Sequence, residues 1–131
     1  MAALAEYLRD WGKALRPTAR VIPLKRITAY NAVPAQTDGS PGIASCGPNK
    51  PHQIALSQDL FFKAGHKLCG AKIKIVLSDG KIITGRVWDT MNPMYRRAAD
   101  ILMASVGHAL KFGVRHGYAE IRFYSNQKGN L

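Results

Sequence analysis

The sequence predicts a compact, mostly β domain closed into a small barrel, on three observations. Short β-branched and aromatic runs recur between clusters of Gly, Pro, Ser and Asn. Two alternating runs flank Asp79-Gly80, a dipeptide that tolerates the positive φ of a tight hairpin. Beyond residue 25 the pattern requires no more than one small helix. A chain of 131 residues suits one core, and 47% apolar with 21% charged content places it among folded proteins.

The elements follow in order. Residues 4–15 form an amphipathic helix, with Leu4, Leu8, Trp11 and Leu15 on one stripe and Tyr7 beside it. This helix either packs on its own domain or serves as a docking arm for a protein partner or a second copy. Pro17 and Pro23 mark a linker, so helix and linker fill residues 1–23. "RITAYN" (26–31) is a strand, and "VPAQTDGSPGIASCGPNKP" (33–51) is a turn-rich loop. "QIALS" (53–57) is a second short strand, and "AKIKIVLSDGKIITGRVWD" (71–89) is the hairpin. "YAEIRFYS" (118–125) closes the domain, with Ala119, Ile121 and Phe123 facing one way and Tyr118, Glu120, Arg122 and Tyr124 the other. Residues 95–112 have two solutions. Tyr95, Ala99, Met103, Val106 and Leu110 fit one long helix; Ser105 as N-cap and Gly113 past the end fit a helix over 106–112, leaving "ADILM" as a buried strand.

Nineteen basic residues against eight acidic ones give a net charge of +11 and a pI near 10.1. Such a surface attracts polyanions: nucleic acid, anionic lipid or bacterial cell wall. The chain lacks a helix-turn-helix pattern, zinc-finger spacing and the aromatic signature of RNA readers, and its charges are spread out, so nucleic acid is not the expected partner. No run is long enough to span a bilayer. Glu6 and Asp10 interrupt the start where a secretory signal needs an apolar centre. Cys46 and Cys69 form no metal framework and are either one disulfide or two buried thiols. His52, His66, His108 and His116 show no ligand spacing, so neither metal nor cofactor is expected. Ser45-Cys46-Gly47 has no recognisable base to activate a nucleophile. Trp88 is a candidate to stack on a sugar, but alternation turns it away from Asp89 and favours a core role.

With so few acids, their local contexts separate them. Glu6 and Asp10 lie on the polar face of the helix, Asp79 belongs to the turn, Glu120 alternates outward and Asp59 follows Ser57 as a cap or turn residue. Asp38, Asp89 and Asp100 remain. Asp100 lies in an apolar run, where a carboxylate needs partners or a raised pKa. The bland alternative is a structural carboxylate held by backbone N–H groups or by Arg96 or Arg97.

Four segments then match a known pattern in order and spacing over about residues 25–125: "TAYNAVPAQTDGSPGIASCG" (28–47), "VWDTMN" (87–92), "RAADILM" (97–103) and "HALKFGVRHGYAEIRFY" (108–124). They resemble the 3D domain, named for three aspartates, which is similar to the C-terminal part of membrane-bound lytic transglycosylase A and the wider rare-lipoprotein-A-like group. The resemblance implies a six-stranded double-psi β-barrel over residues 24–126, with a tail at 127–131. It makes "ADILM" a strand and 105–112 a short helix. It maps the three aspartates onto Asp38, Asp89 and Asp100.

The resemblance also implies a reaction on peptidoglycan glycan strands. Asp100 would be the catalytic acid and then base, and Asp89 would tune it. Asp38, Thr28 and Tyr30 would bind substrate and order the groove. Cleavage would leave a 1,6-anhydro muramyl end, because the sugar's own C6 hydroxyl is the nucleophile and no second carboxylate is needed to activate water. Two departures stand out. The relative's second domain has no counterpart in this length, and the aspartate-glycine pattern common in relatives is Asp89-Thr90-Met91-Asn92-Pro93 here. A non-catalytic glycan-binding or structural barrel of a larger assembly, such as a phage tail, is the rival expectation. A phage or prophage product, carried in a virion or released at lysis, would reach the wall without an export signal.

Overall fold

The structure, a computed structural model, describes residues 16–31, 43–62 and 68–125. The elements are β1 (Arg16–Tyr30), β2 (Ile43–Ala44), β3 (Gly47–Pro48), β4 (Gln53–Leu56), α1 (Gln58–Phe61), β5 (Lys72–Leu77), β6 (Ile82–Thr90), β7 (Ala98–Leu102), α2 (Val106–Phe112) and β8 (Arg115–Ser125). Six of the strands close into a barrel in the order β1-β7-β4-β6-β5-β8, with β8 returning to β1. The β1–β7 and β4–β6 pairs are parallel; the other barrel pairs are antiparallel. The expected six-stranded, mainly β barrel is the fold observed. The helix expected over residues 4–15 and the loop aspartate Asp38 lie outside the described residues.

Alternation explains the interior. On β5, Ile73, Ile75 and Leu77 are buried, while Lys72, Lys74 and Val76 point outward. They meet Ile27, Ile54, Leu56, Phe61, Val87, Ile101 and Ile121 in one core. Each such side chain, fully buried, contributes roughly 1.5–3 kcal/mol. The hairpin forms as its turn predicts: Gly80 has φ +92°, Lys81 N–H donates to Asp79 Oδ1 at 3.0 Å, and Leu77 N–H donates to the Lys81 carbonyl at 2.8 Å.

The ambiguity over residues 95–112 resolves as strand then short helix. Ser105 Oγ accepts from His108 N–H at 3.0 Å, and Gly113 ends the helix at φ +67°. A single long helix would take residues 98–102 out of the barrel, where β7 pairs with both β1 and β4.

The linker expected around Pro17 and Pro23 is strand instead. β1 begins at Arg16 and pairs with β8 from there to Leu24, with Pro17 opposite Tyr124 and Pro23 opposite Tyr118. Its other neighbour, β7, joins only from Arg26. Over its first half β1 is therefore paired on one side, an edge setting in which proline is tolerated. At Gly85 and Gly117 a side chain would run into a neighbouring backbone carbonyl, His52 in one case and Val76 in the other, so these strands approach more closely than a Cβ allows.

Cys46 and Cys69 form a disulfide that ties the β2–β3 hairpin to the turn before β5. This decides between the two states the sequence left open.

Candidate active site

The barrel's pairings bring two of the three aspartates into one row. Asp100 on β7 is in register with Thr28 on β1 and with Ala55 on β4; Ala55 is in turn in register with Asp89 on β6. The row across four strands reads Thr28, Asp100, Ala55, Asp89. With neighbouring strands just under 5 Å apart, the two aspartate backbones are roughly 10 Å apart. Ala55, the residue between them, is buried and carries only a methyl group, so the floor between the carboxylates is low. Tyr30, Ala55, Met91 and Ala98 pack together on this side of the sheet, with Tyr95 and Leu102 against them.

The carboxylates have different surroundings. Among the described residues Asp100 Oδ1 accepts one bond, from the Thr28 hydroxyl at 2.9 Å. Among the described residues it has no ion pair, and neither Arg96 nor Arg97 clamps it. The Arg97 N–H goes instead to the carboxylate of Asp59, with oxygens at 3.1 and 3.4 Å, which fixes Arg97 at φ +46° just before β7. Asp59 lies in the first turn of α1 and its carboxylate bonds a backbone N–H 38 positions away, so its role is a long-range one and not the local cap or turn expected. Burial pushes the Asp100 carboxyl up to about 6, with a smaller push from the charge of Asp89; the Thr28 bond and the nearby Arg26 charge oppose it. The Arg26 guanidinium lies over the Tyr95 ring, 5.5 Å from its centre.

Asp89 is held by many donors. Its Oδ1 accepts from Ser45 N–H at 2.9 Å, Ser45 Oγ–H at 2.9 Å and Thr90 N–H at 2.8 Å. Its Oδ2 faces the Tyr30 hydroxyl at 3.5 Å. Ser45 Oγ also lies 2.7 Å from Thr90 Oγ1, so Thr90 is part of this clasp. Tyr30 accepts a bond from the buried Gln53 Nε2 at 2.8 Å, and Gln53 Oε1 accepts from Lys50 N–H at 2.9 Å. Burial raises the Tyr30 phenol well above its usual range, against the pull of the Gln53 bond.

The structure therefore joins Thr28, Tyr30, Asp89 and Asp100. Sequence reasoning missed Ser45, Gln53 and Ala55. A glutamine at the head of a short apolar strand was the available signal for Gln53; Ser45 and Ala55 carry none without the strand register.

The expectation for Trp88 is corrected. The β4–β6 ladder steps from Ile54–Val87 to Ala55–Asp89 and skips Trp88, a bulge that breaks the alternation on which a core role rested. Trp88 is half-buried under the β2–β3 hairpin. Its indole N–H donates to the Pro48 carbonyl at 2.8 Å, its own carbonyl accepts from Cys46 N–H at 3.1 Å, and Lys50 Nζ sits 4.9 Å from the ring centre. One bulge thus seats the hairpin on Trp88 and presents Ser45 to Asp89.

No protein-family description matches the chain, and no curated protein does. Solved structures do. The Streptomyces papain inhibitor matches with a TM-score of 0.55 and 18% identity, over 79% of this chain and 94% of that one. An expansin of Clavibacter michiganensis matches with a TM-score of 0.49 and 15% identity, over 81% of this chain and 50% of that one. A point mutant of that expansin in complex with cellohexaose matches with a TM-score of 0.49 and 12% identity, over 79% and 50%. The fold is a double-psi β-barrel. At these identities the likeness concerns the fold alone, and the chain spans half the length of the expansins.

Proposed function

We propose that the chain is a lytic transglycosylase of peptidoglycan, with Asp100 as its single acid and base. The carrying observation is the inequality of the two carboxylates in the row: among the described residues, Asp100 is half-buried with one donor, whereas three fill Asp89 Oδ1. A general acid must hold its proton near working pH, and burial supplies that for Asp100. A two-carboxylate hydrolase needs a second group free to activate water or attack the sugar. Asp89, clasped by Ser45 and Thr90, is poorly suited to either task.

Asp100 would donate its proton to the glycosidic oxygen between N-acetylmuramic acid and N-acetylglucosamine as that bond breaks. The resulting carboxylate would take the proton of the muramic acid C6 hydroxyl while O6 closes on C1. The acid is regenerated, and the product carries a 1,6-anhydro ring. Asp89 would add negative potential beside the oxocarbenium-like centre, with Tyr30 and Gln53 keeping it oriented. Thr28 would hold the Asp100 carboxyl in one rotamer. The disulfide supports action in an oxidising compartment such as the cell envelope; delivery by a virion or at lysis is part of the same proposal.

The test is incubation of purified peptidoglycan with the wild type and Asp100→Asn, followed by mass spectrometry. Anhydro muropeptides from the wild type and none from the variant are expected. Reducing ends would mean an inverting hydrolase on the same barrel. Binding to sacculi without any product would leave a non-catalytic glycan-binding module, and equal product from both proteins would remove Asp100 from the mechanism.

A further inference from the structure

We propose that the barrel wall formed by β6, β5 and β8 is a second binding site, for a linear polyanion of saccharide or polyol units whose charges are carboxylates or phosphodiesters. The inference does not depend on the reaction assigned to Asp100. The outward residues of these strands frame a concavity of about 580 Å³ that holds Lys72, Lys74, Arg86, Arg122 and a single acid, Glu120. The strand register arranges them in two rows. Lys72 is directly opposite Arg86 on one side and Arg122 on the other; Lys74 is opposite Thr84 and Glu120.

Like charges directly opposite each other across strands are destabilising, so a row of three cations is costly for an empty surface. Glu120 relieves only part of it: it pairs with Arg122 at 2.7 Å and stands 3.9 Å from Lys74. Among the described residues Lys72 has no acidic partner. Arg86 has its Nη1 anchored on the Gly70 carbonyl at 2.9 Å, which pre-orients the guanidinium.

The size and lining select the ligand. Three strands at just under 5 Å spacing spread the cationic row over roughly 10 Å, more than one anion spans and enough for successive charges of a polymer. Among the described residues no Phe, Tyr or Trp lines the concavity, whose one aromatic ring is the imidazole of His52. Single-stranded nucleic acid depends on several such rings to stack its bases, which turns the choice toward a polymer without bases. Glu120 would be displaced from Arg122 as the ligand's anion takes its place.

The experiment uses the full chain with three probes: polygalacturonate, poly(glycerol phosphate) and a single-stranded DNA oligomer. Binding is measured at low and high salt for the wild type, Lys72→Gln/Arg122→Gln and the control Lys81→Gln/Lys111→Gln, which removes the same charge elsewhere. The wild type should bind at least one of the first two polymers, and whichever binds identifies the anion. The Lys72/Arg122 variant should lose at least tenfold, and the control should lose less than twofold. Acetylation footprinting of the wild type provides a measurement independent of any variant's folding: the polymer should protect Lys72 and Lys74 but not Lys81 or Lys111. Equal loss in both variants, no binding of either polymer, uniform protection of all four lysines, or tighter binding of DNA would each overturn the proposal.

Discussion

On the wall formed by β1, β7, β4 and β6, the in-register neighbours are Thr28, Asp100, Ala55 and Asp89. On the wall formed by β6, β5 and β8 they are Arg86, Lys72 and Arg122. The first places its carboxylates among Tyr30, Met91, Ala98 and Leu102; the second leaves its cations facing water. In a chain of net charge +11, Arg26 is the one cation among the described residues that acts appreciably on Asp100, and it is engaged with Tyr95. The two walls share β6, but Asp100 on β7 and Lys72 on β5 stand three strands apart around the closed barrel. That separation lets a strongly basic protein hold a carboxyl that keeps its proton to unusually high pH.

The largest expected effect falls on the acid wall. Asp100→Asn should lower anhydro-muropeptide formation by about 10²–10⁴-fold, the usual worth of a general acid–base group. The same variant should gain stability. The folded pKa of Asp100, about 6, lies above the ordinary carboxyl value of 3.8. The stabilising contribution therefore belongs to the protonated form: it is complete below about pH 4 and lost as pH rises through 6. Asparagine has no charge to desolvate, so at pH 8 it should be the more stable protein by about 3 kcal/mol, and at pH 4 the two should melt nearly alike. Thermal unfolding at the two pH values checks this. A wild type as stable as the variant at pH 8 would mean that burial does not burden the carboxylate.

Next in size is the disulfide. Replacing Cys46 and Cys69 together by alanine opens a loop of 23 residues, worth about 3 kcal/mol in loop-closure entropy. Cys46 adjoins Ser45, so the double variant should also loosen the clasp on Asp89 and reduce product formation. Binding of polyanion on the opposite wall should persist at temperatures where the protein remains folded. Chemical denaturation with the two binding assays separates these effects; equal impairment of both walls would make the disulfide a global staple with no special link to the acid wall.

The two walls also differ in how far they could be read from sequence. The β5–β6 pairing is centred on Asp79, so Lys72 falls opposite Arg86 once Ser78-Asp79-Gly80 is taken as the turn, and the alternation in "KIKIVL" places the lysines outward. The acid wall depends on pairs far apart in the chain: Thr28 meets Asp100 over 72 positions and Ser45 meets Asp89 over 44. Local patterns could only mark Asp89 and Asp100 as acids without a local explanation. They could not show that Ala55 separates them or that Ser45 fills one. The missed half of β1 has the same origin, since prolines signal a linker locally and are tolerated here because one edge is unpaired. The Trp88 bulge defeats alternation because only the partner strand reveals the extra residue.

The smallest expected effect is the most selective. For the free enzyme, kcat/KM should fall as pH rises through about 6, because Asp100 must enter the reaction protonated. The Thr28 hydroxyl bonds the carboxylate at 2.9 Å and favours its charged form. Thr28→Val is close in shape and removes that bond, so the carboxyl should hold its proton to higher pH and the falling limb should move toward alkali. Arg26→Gln should move it the same way by removing a nearby positive charge. Lys72→Gln, on the far wall, should leave the limb in place while weakening polyanion binding. A pH–rate profile of the three variants decides the matter: a limb that shifts with Lys72→Gln but not with Thr28→Val would show that diffuse surface charge, and not the immediate environment of Asp100, sets its proton affinity.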